Sequence, residues 1–568
     1  MTRDPFALAT FSDGQIYEEA ARDILGAPPL GTQPFFLQGL YAYLVAAGLG
    51  LRGALLDALF FQLGLCALAG WAFLSAARRC FGTRAALCSG ALWLSSGALG
   101  FYENKYLSAA LGCSCNALLL WAFSRLNEAP AGPLATARSA RAPLLAASAL
   151  GLLSALGLLA RPNMLLAVPF TLGALALSAR VQGRRSLPLL AAAGCGIALG
   201  LAPMLARNWL VTGHAGVFPS HGGGIPFYIG NNPKSTGLWN DAGGLLSGQV
   251  LLERRELAGR LGLRENDPEI DDQIGRTLYA GAFQFMREQP RAFALLEARK
   301  LYAMLGNDQL VHDYDWLGER ELLEPLGVLD LPFGICLGLG VLGFFALARG
   351  DATSRALQLL LLGQLIAVAT ANLLWFTSAQ NRAPLVVPLA FTSGPALQAL
   401  LALARQRSAA APALTPAAPK TAGGANASAR PKISARPHAP AEANLAARTN
   451  AAANDSATAP YRVPLLVVAL CACLTAQAFI PRSRARQPSA AHYYNLALVE
   501  ESLGQYGPAL RHYTRATERN PRQPLFWLRL ARLARVTDKP KLAARALARL
   551  EAMPDLPPEI RRAAMAER

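Results

Sequence analysis

Apolar runs long enough to cross a lipid bilayer recur along this chain, near 54–77, 83–101, 106–123, 142–160, 163–179, 187–205, 327–348, 356–377, 384–404 and 463–480. A helix needs about 20 residues to span a hydrocarbon layer of about 30 Å. Inside lipid the backbone must satisfy its own hydrogen bonds, which a helix does along its length. The sequence therefore predicts an all-α polytopic membrane protein with about ten spans.

The formal net charge of +18 would suggest a nucleic-acid partner in a soluble protein. Here the cations sit where topology needs them. Arg78, Arg79 and Arg84 follow the first run, Arg125, Arg138 and Arg141 precede the fourth, and Arg180, Arg184 and Arg185 follow the fifth. Basic residues collect in cytoplasmic loops, so these loops lie inside and nucleic acid is set aside. Threading the runs accordingly places residues 1–50, the turn near 100–106, a long loop at 206–326, the turn near 377–382 and everything after 480 on the outer side. The nine cysteines lie in or beside apolar runs, which argues against a disulfide framework. Nothing at the start reads as a cleaved signal peptide, and the acidic head (Asp4, Asp13, Glu18, Glu19, Asp23) suits outward insertion.

Four regions are expected. Residues 1–405 hold nine spans, with the outer loop 206–326 among them. Residues 406–461, rich in Ala, Pro, Ser, Thr and Asn, read as a disordered linker because they cannot bury a core. A tenth span within 462–481 carries the chain back out. In 486–568, Leu496, Ala497, Gly504, Ala509, Tyr513, Ala516 and Pro521 fall at the small, aromatic and helix-ending positions of a tetratricopeptide unit. Trp527, Leu530, Ala531 and Ala543 mark a second, weaker copy. Two repeats fall short of the three or so needed for stability alone, so the module is expected to dock on this chain's loop, a twin or a protein partner.

The outer segments carry the candidates for chemistry. Asp13 precedes a predicted amphipathic helix over 15–25 and reads as a catalytic base or as a plain helix N-cap. PFFLQGLYAYL after it reads as an aromatic interfacial helix. Glu103 lies in the short turn GFYENKY with Lys105 beside it, where an acid could deprotonate a hydroxyl or hold a metal. Arg161, Arg207 and Arg382 reach the same face, and a guanidinium fork suits phosphate oxygens; snorkelling to the interface is the plainer reading of each. In GGGIPFYIGNNPKSTG the glycines free backbone N–H groups for an anion, with Asn231, Asn232 and Lys234 as donors and His221 just ahead. His312, Asp313 and Asp315 could form a metal site, without the spacing of a known motif.

Together these segments resemble bacterial polytopic glycosyltransferases of the GT-C fold, the group related to protein O-mannosyltransferases and aminoarabinose transferases. The likeness rests on Asp13, Tyr17, Ala21, Leu25 and Gly26 followed by P-F-F-L, on A-R-P-N at 160–163, and on Pro203, Arg207, Asn208, Thr212 and Gly213. It extends through G-N-N-P at 230–233 with Gly237, and N-R-A-P-L at 381–385, covering about 10–405. The resemblance implies a GT-C-like helical bundle and a polyprenyl-phosphate sugar donor entering from the membrane lipid. It further implies inverting transfer to an acceptor outside the cytoplasm of a bacterial inner membrane, on the periplasmic side. Asp13 would then be the base, Glu103 the second acidic position, and Arg382, Arg161 and Arg207, with Lys105, the phosphate-side cations. A divalent cation is left open, since metal need varies within the fold. Two departures stand out. Relatives carry a span before the acid, whereas this chain starts twelve residues ahead of Asp13, so its start codon lies upstream or its head inserts without that helix. Gln380 and Asn381 stand where relatives have an aromatic before the arginine. A lipid-linked glycan ligase and a non-catalytic scaffold presenting repeats are the alternatives; a transporter is disfavoured by spans almost free of ionisable groups.

Overall fold

A computed structural model describes residues 4–126, 137–218, 223–239, 257–259, 261–262, 270–308, 310–322, 331–410, 465–476, 488–554, 556 and 558–567. Among the described residues the regular elements are all helices, with no strand beyond a single bridge pairing Leu238 and Thr377.

Seven helices are long and apolar enough to span: Leu55–Phe81, Ser108–Leu126, Arg141–Ala160, Pro162–Val181, Ser186–Thr212, Ala352–Leu374 and Ala379–Arg405. An eighth crossing is broken into Thr83–Leu94 and Gly97–Glu103, which meet at 63°. These coincide with eight of the expected runs, and the chain is a multi-pass membrane protein. The other two runs are apolar helices too, but shorter: Phe333–Leu347, and Leu465–Ala476 among the described residues. The expected linker lies outside the described residues except for its first few, which continue the helix Val386–Ala410.

Ser108–Leu126 is the central span, 83% buried over its apolar window, between Leu55–Phe81 and the helix ending at Ala160. Outward-facing residues are as apolar as the core: Leu145, Leu187 and Leu199 are all exposed. That pattern suits lipid, where the outer face needs no polar groups. Without a hydrophobic drive between helices in lipid, close packing has to hold them, and small residues permit it. Gly196 and Gly200 do so here. A Cβ at Gly196 would stand 2.1 Å from the carbonyl oxygen of Ser148, and one at Gly200 2.6 Å from the Ala155 Cβ.

On the outer side, the amphipathic helix runs from Asp13 to Gly26 and buries Tyr17, Ala21 and Ile24. PFFLQ is not helical; the next helix is Gly39–Arg52. Pro34 has no N–H to donate and biases the residue before it away from helix.

The C-terminal module comprises two helical pairs, Ala490–Ser502 with Tyr506–Arg519 and Pro524–Val536 with Pro540–Glu551, closed by Pro558–Ala566. Ala497, Ala509, Tyr513, Ala516, Ala531 and Ala543 form its own core. The module docks on this chain: Leu496 and Val499 belong to the main core with Phe6, Tyr314 and Trp316. The backbone N–H of Ser489 donates to Oδ2 of Asp315 at 2.9 Å.

Candidate functional site

A cavity of about 1520 Å³ opens where the outer segments converge. Its walls include Ser12, Asp13 and Tyr17 from the N-terminal segment, Arg161 and Asn163 from the turn between two spans, and His312 and Asp313 from the long loop. Trp375, Phe376, Gln380 and Asn381 contribute from the turn after Ala352–Leu374, and the first repeat helices close the remaining side.

Asp13 begins its helix at the first helical position, so the cap position falls to Ser12. Ser12 has φ 50 and ψ −132, a conformation that side-chain-bearing residues seldom adopt and that is strained. Its hydroxyl donates to Oδ1 of Asp313 at 2.7 Å. Four residues along, Tyr17 donates to Oε1 of Gln38. Burial pushes the Tyr17 phenol above its usual range, and the Asp13 charge adds to the effect.

Arg161 faces Asp13 electrostatically within this cavity. Its Nη1 donates to Oδ1 of Asn381 at 3.1 Å. Nε and Nη2 are buried without a hydrogen-bond partner among the described residues. Buried cationic donors are costly to leave unmatched. Asn381, which orients it, is itself held: its Nδ2 donates to the Phe376 carbonyl at 3.2 Å. His312 Nδ1 donates to Oε1 of Gln380 at 3.0 Å on the same wall.

The other sequence candidates stand elsewhere. Lys105 is 1% exposed and ion-paired to Asp4 at 3.2 Å and to Glu319, beneath the rings of Phe6, Phe101 and Tyr314. Its charge is consumed by carboxylates, which corrects its reading as a phosphate contact. Glu103 ends the broken helix away from the cavity wall, its carbonyl accepting from Gln62 Nε2 at 2.8 Å. Arg207 donates to the carbonyls of Leu30 at 2.9 Å and Gln33 at 2.6 Å and lies 3.7 Å from the Phe35 ring centre. It pins the first outer loop. Arg382 donates to the carbonyls of Gly306 and, at 2.8 Å, Asp308, just past the helix Pro290–Leu305. Arg207 also donates to Asn208 Oδ1 at 3.2 Å, and neither arginine lines the cavity.

The glycine-asparagine loop is a structural knot. Asn231 donates to the carbonyls of Phe227 at 2.8 Å and Leu374 at 2.7 Å and accepts from Lys300 Nζ at 2.9 Å. Asn232 donates to the Tyr228 carbonyl at 2.8 Å and accepts from the Lys234 backbone N–H at 2.8 Å. A Cβ at Gly230 would stand 1.7 Å from the Trp375 carbonyl oxygen, so only glycine lets these backbones meet. The Lys234 side chain is exposed, off the cavity wall. His221 lies outside the described residues. Of the trio His312, Asp313 and Asp315, His312 and Asp313 meet, Nδ1 to Oδ2 at 3.5 Å, while they also bond to Gln380 and Ser12; Asp315 turns instead to the backbone N–H groups of Leu317 and Ser489. Among the described residues no three His, Cys, Asp or Glu side chains are grouped to hold a metal. Sequence reading missed Ser12 and Gln380 as cavity residues, and Lys300 as the knot's anchor. Only the FSD triplet hinted at Ser12; its partner is 301 residues away.

A family model described as Tetratricopeptide repeat matches residues 490–533. No curated protein matches the sequence. Two kinds of solved structure are similar to the chain, both at low identity. One is the archaeal oligosaccharyltransferase AglB from Archaeoglobus fulgidus, in complex with an inhibitory peptide and a dolichol-phosphate (15% identity, TM-score 0.36, covering 89% of this chain and 57% of that one). The other is ArnT from Cupriavidus metallidurans bound to undecaprenyl phosphate (14% identity, TM-score 0.32, covering 71% and 77%). The chain thus spans just over half the length of the oligosaccharyltransferase.

Proposed function

We propose that the protein is a membrane glycosyltransferase that moves a sugar from a polyprenyl-phosphate donor to a hydroxyl-bearing acceptor, on the periplasmic side of a bacterial inner membrane. One observation carries this reading. The same cavity holds the Asp13 carboxylate and an arginine, Arg161, with two buried N–H groups that no acceptor among the described residues satisfies. In the reaction, the Asp13 carboxylate takes the proton of the acceptor hydroxyl as its oxygen bonds to the anomeric carbon. The bond from that carbon to the phosphate oxygen breaks, with inversion, and the electron pair leaves on polyprenyl phosphate. Arg161 stabilises the developing charge through Nε and Nη2, since preorganised donors act most strongly in a partly dehydrated site. The strained Ser12 and its bond to Asp313 hold the acid at the cavity wall. Residues 1–405 would carry the catalysis and 486–568 the repeats.

The test is incubation of purified full-length protein with defined polyprenyl-phosphate sugars and mixed envelope acceptors, following release of polyprenyl phosphate. Wild type should release it and Asp13→Asn should lose at least about a hundredfold in rate, the usual weight of a positioned base. Release that is indifferent to this carboxylate refutes the mechanism.

A further inference from the structure

The repeat module forms a wall of the same cavity that holds Asp13 and Arg161. Resting on the transferase reading above, we propose that this wall binds the acceptor, and that the acceptor is a polypeptide lying extended along the repeats with a side-chain hydroxyl delivered to Asp13.

The wall's chemistry selects among acceptor classes. Asn495, Asn520 and Gln523 line it from the first repeat helix and the connector between the repeats. A side-chain amide sets a donor beside an acceptor, which matches the peptide group it would face. Asn495 already shows the pairing, donating to the backbone carbonyl of Asp313 at 3.1 Å. Arg529 adds a further donor, its Nε making no hydrogen bond.

On the repeat wall itself the aromatic residues give no sugar platform. Tyr494 and Phe526 stack on each other with centroids 4.7 Å apart, and are only 5% and 6% exposed. Their faces are spent on packing, so they leave edges suited to an apolar side chain and no open face for a sugar ring. Leu498, Leu503 and Leu525 line the same wall as the amides, so it offers both hydrogen-bonding groups and apolar surface, as a polypeptide does, whereas an acyl chain would leave the amides unmatched. The cavity, at about 1520 Å³, also exceeds the ~300–1,000 Å³ of ordinary small-molecule pockets. Helical repeats characteristically present elongated concave surfaces to their ligands.

The test measures binding without donor, so that it stands apart from catalysis. Full-length protein in nanodiscs is titrated into fluorescent, unstructured Ser/Thr-containing peptides of about 15 residues, long enough to reach ~50 Å when extended. Linear polysaccharide fragments serve as the second probe. Peptides should bind, and Asn520→Ala/Gln523→Ala should weaken them about tenfold or more. The same variant should change thermal stability little, because Asn520 is exposed, its Oδ1 accepts only a long 3.3 Å bond from the Arg522 N–H, and Gln523 is half-buried at the connector. Binding of polysaccharide but not peptide overturns the proposal, as does peptide affinity indifferent to the double variant. Peptide binding with Asp13-independent donor release would sink the mechanism alone. Asp13-dependent release without peptide binding would sink this inference alone.

Discussion

The hydroxyl of Ser12 donates to the Asp313 carboxylate at 2.7 Å, joining the residue before the acid to the far end of the long outer loop. Because Ser12 has φ 50 and ψ −132, something outside its own segment must hold it there. Asp313 does so, and its backbone carbonyl in turn accepts from Asn495 of the first repeat helix.

Removing that bond should misplace Asp13 without removing it. Ser12→Ala and Asp313→Asn are each expected to lower turnover about 10- to 100-fold, as sub-ångström misplacement of a reacting group does. The KM for donor should change little. Initial-rate kinetics on polyprenyl phosphate release checks the split. Equal loss in KM would place Asp313 in donor binding instead.

Arg161→Ala should lower kcat/KM for the donor about 10- to 100-fold, the weight of charge-assisted hydrogen bonds worth about 1.5–3 kcal/mol. Arg161→Lys should recover only part of it, since an ammonium lacks the fork. Arg382→Lys, by contrast, should reveal itself in thermal stability, because its donors serve the carbonyls of Gly306 and Asp308.

Gly230→Ala is expected to give no stable membrane-inserted protein, since its methyl would stand 1.7 Å from the Trp375 carbonyl oxygen. Gly100→Ala is the control: a Cβ there meets nothing within 4 Å. In a helix that exchange should stabilise by about 0.5–1 kcal/mol. Expression level and thermal midpoint in detergent report both.

Two buried groups make the docking of the repeats respond to pH in opposite directions. Burial pushes His492 down to about 4, so the unfolded chain binds more protons than the folded one between there and its ordinary value, and stability rises with pH. Burial pushes Glu319 up to about 7, against the pull of Lys105; the folded chain binds the extra proton, and stability falls as pH rises from its ordinary value to 7. The slopes oppose each other. His492→Gln should therefore leave a thermal midpoint that falls between about pH 4.5 and 6.5, and Glu319→Gln one that rises. Midpoints that share one slope in both variants would show that neither group governs it.

The bundle was legible because lipid imposes one length and one chemistry on every crossing, and eight runs became spans on that basis alone. The repeats were legible for a similar reason: Ala497, Ala509 and Tyr513 recur where paired helices must approach. The site was legible only in part. Asp13 and Arg161 stand on the cavity, yet nothing local distinguishes Arg161 from Arg207 or Arg382. A guanidinium goes to whichever acceptors tertiary structure brings near, and for Arg382 those are carbonyls some 74–79 residues away. The asparagines of the loop misled for the same reason, since Lys300 and Leu374, which engage Asn231, are remote in sequence.

The first repeat helix belongs to two cores at once, giving Leu496 and Val499 to the membrane body and Tyr494 and Ala497 to the repeat stack. A solenoid anchored at one end grows or shrinks at the other, because each unit touches only its neighbours. Evolution, or a protein engineer, could therefore exchange the later units of this array as a cassette while the reaction chamber stayed intact.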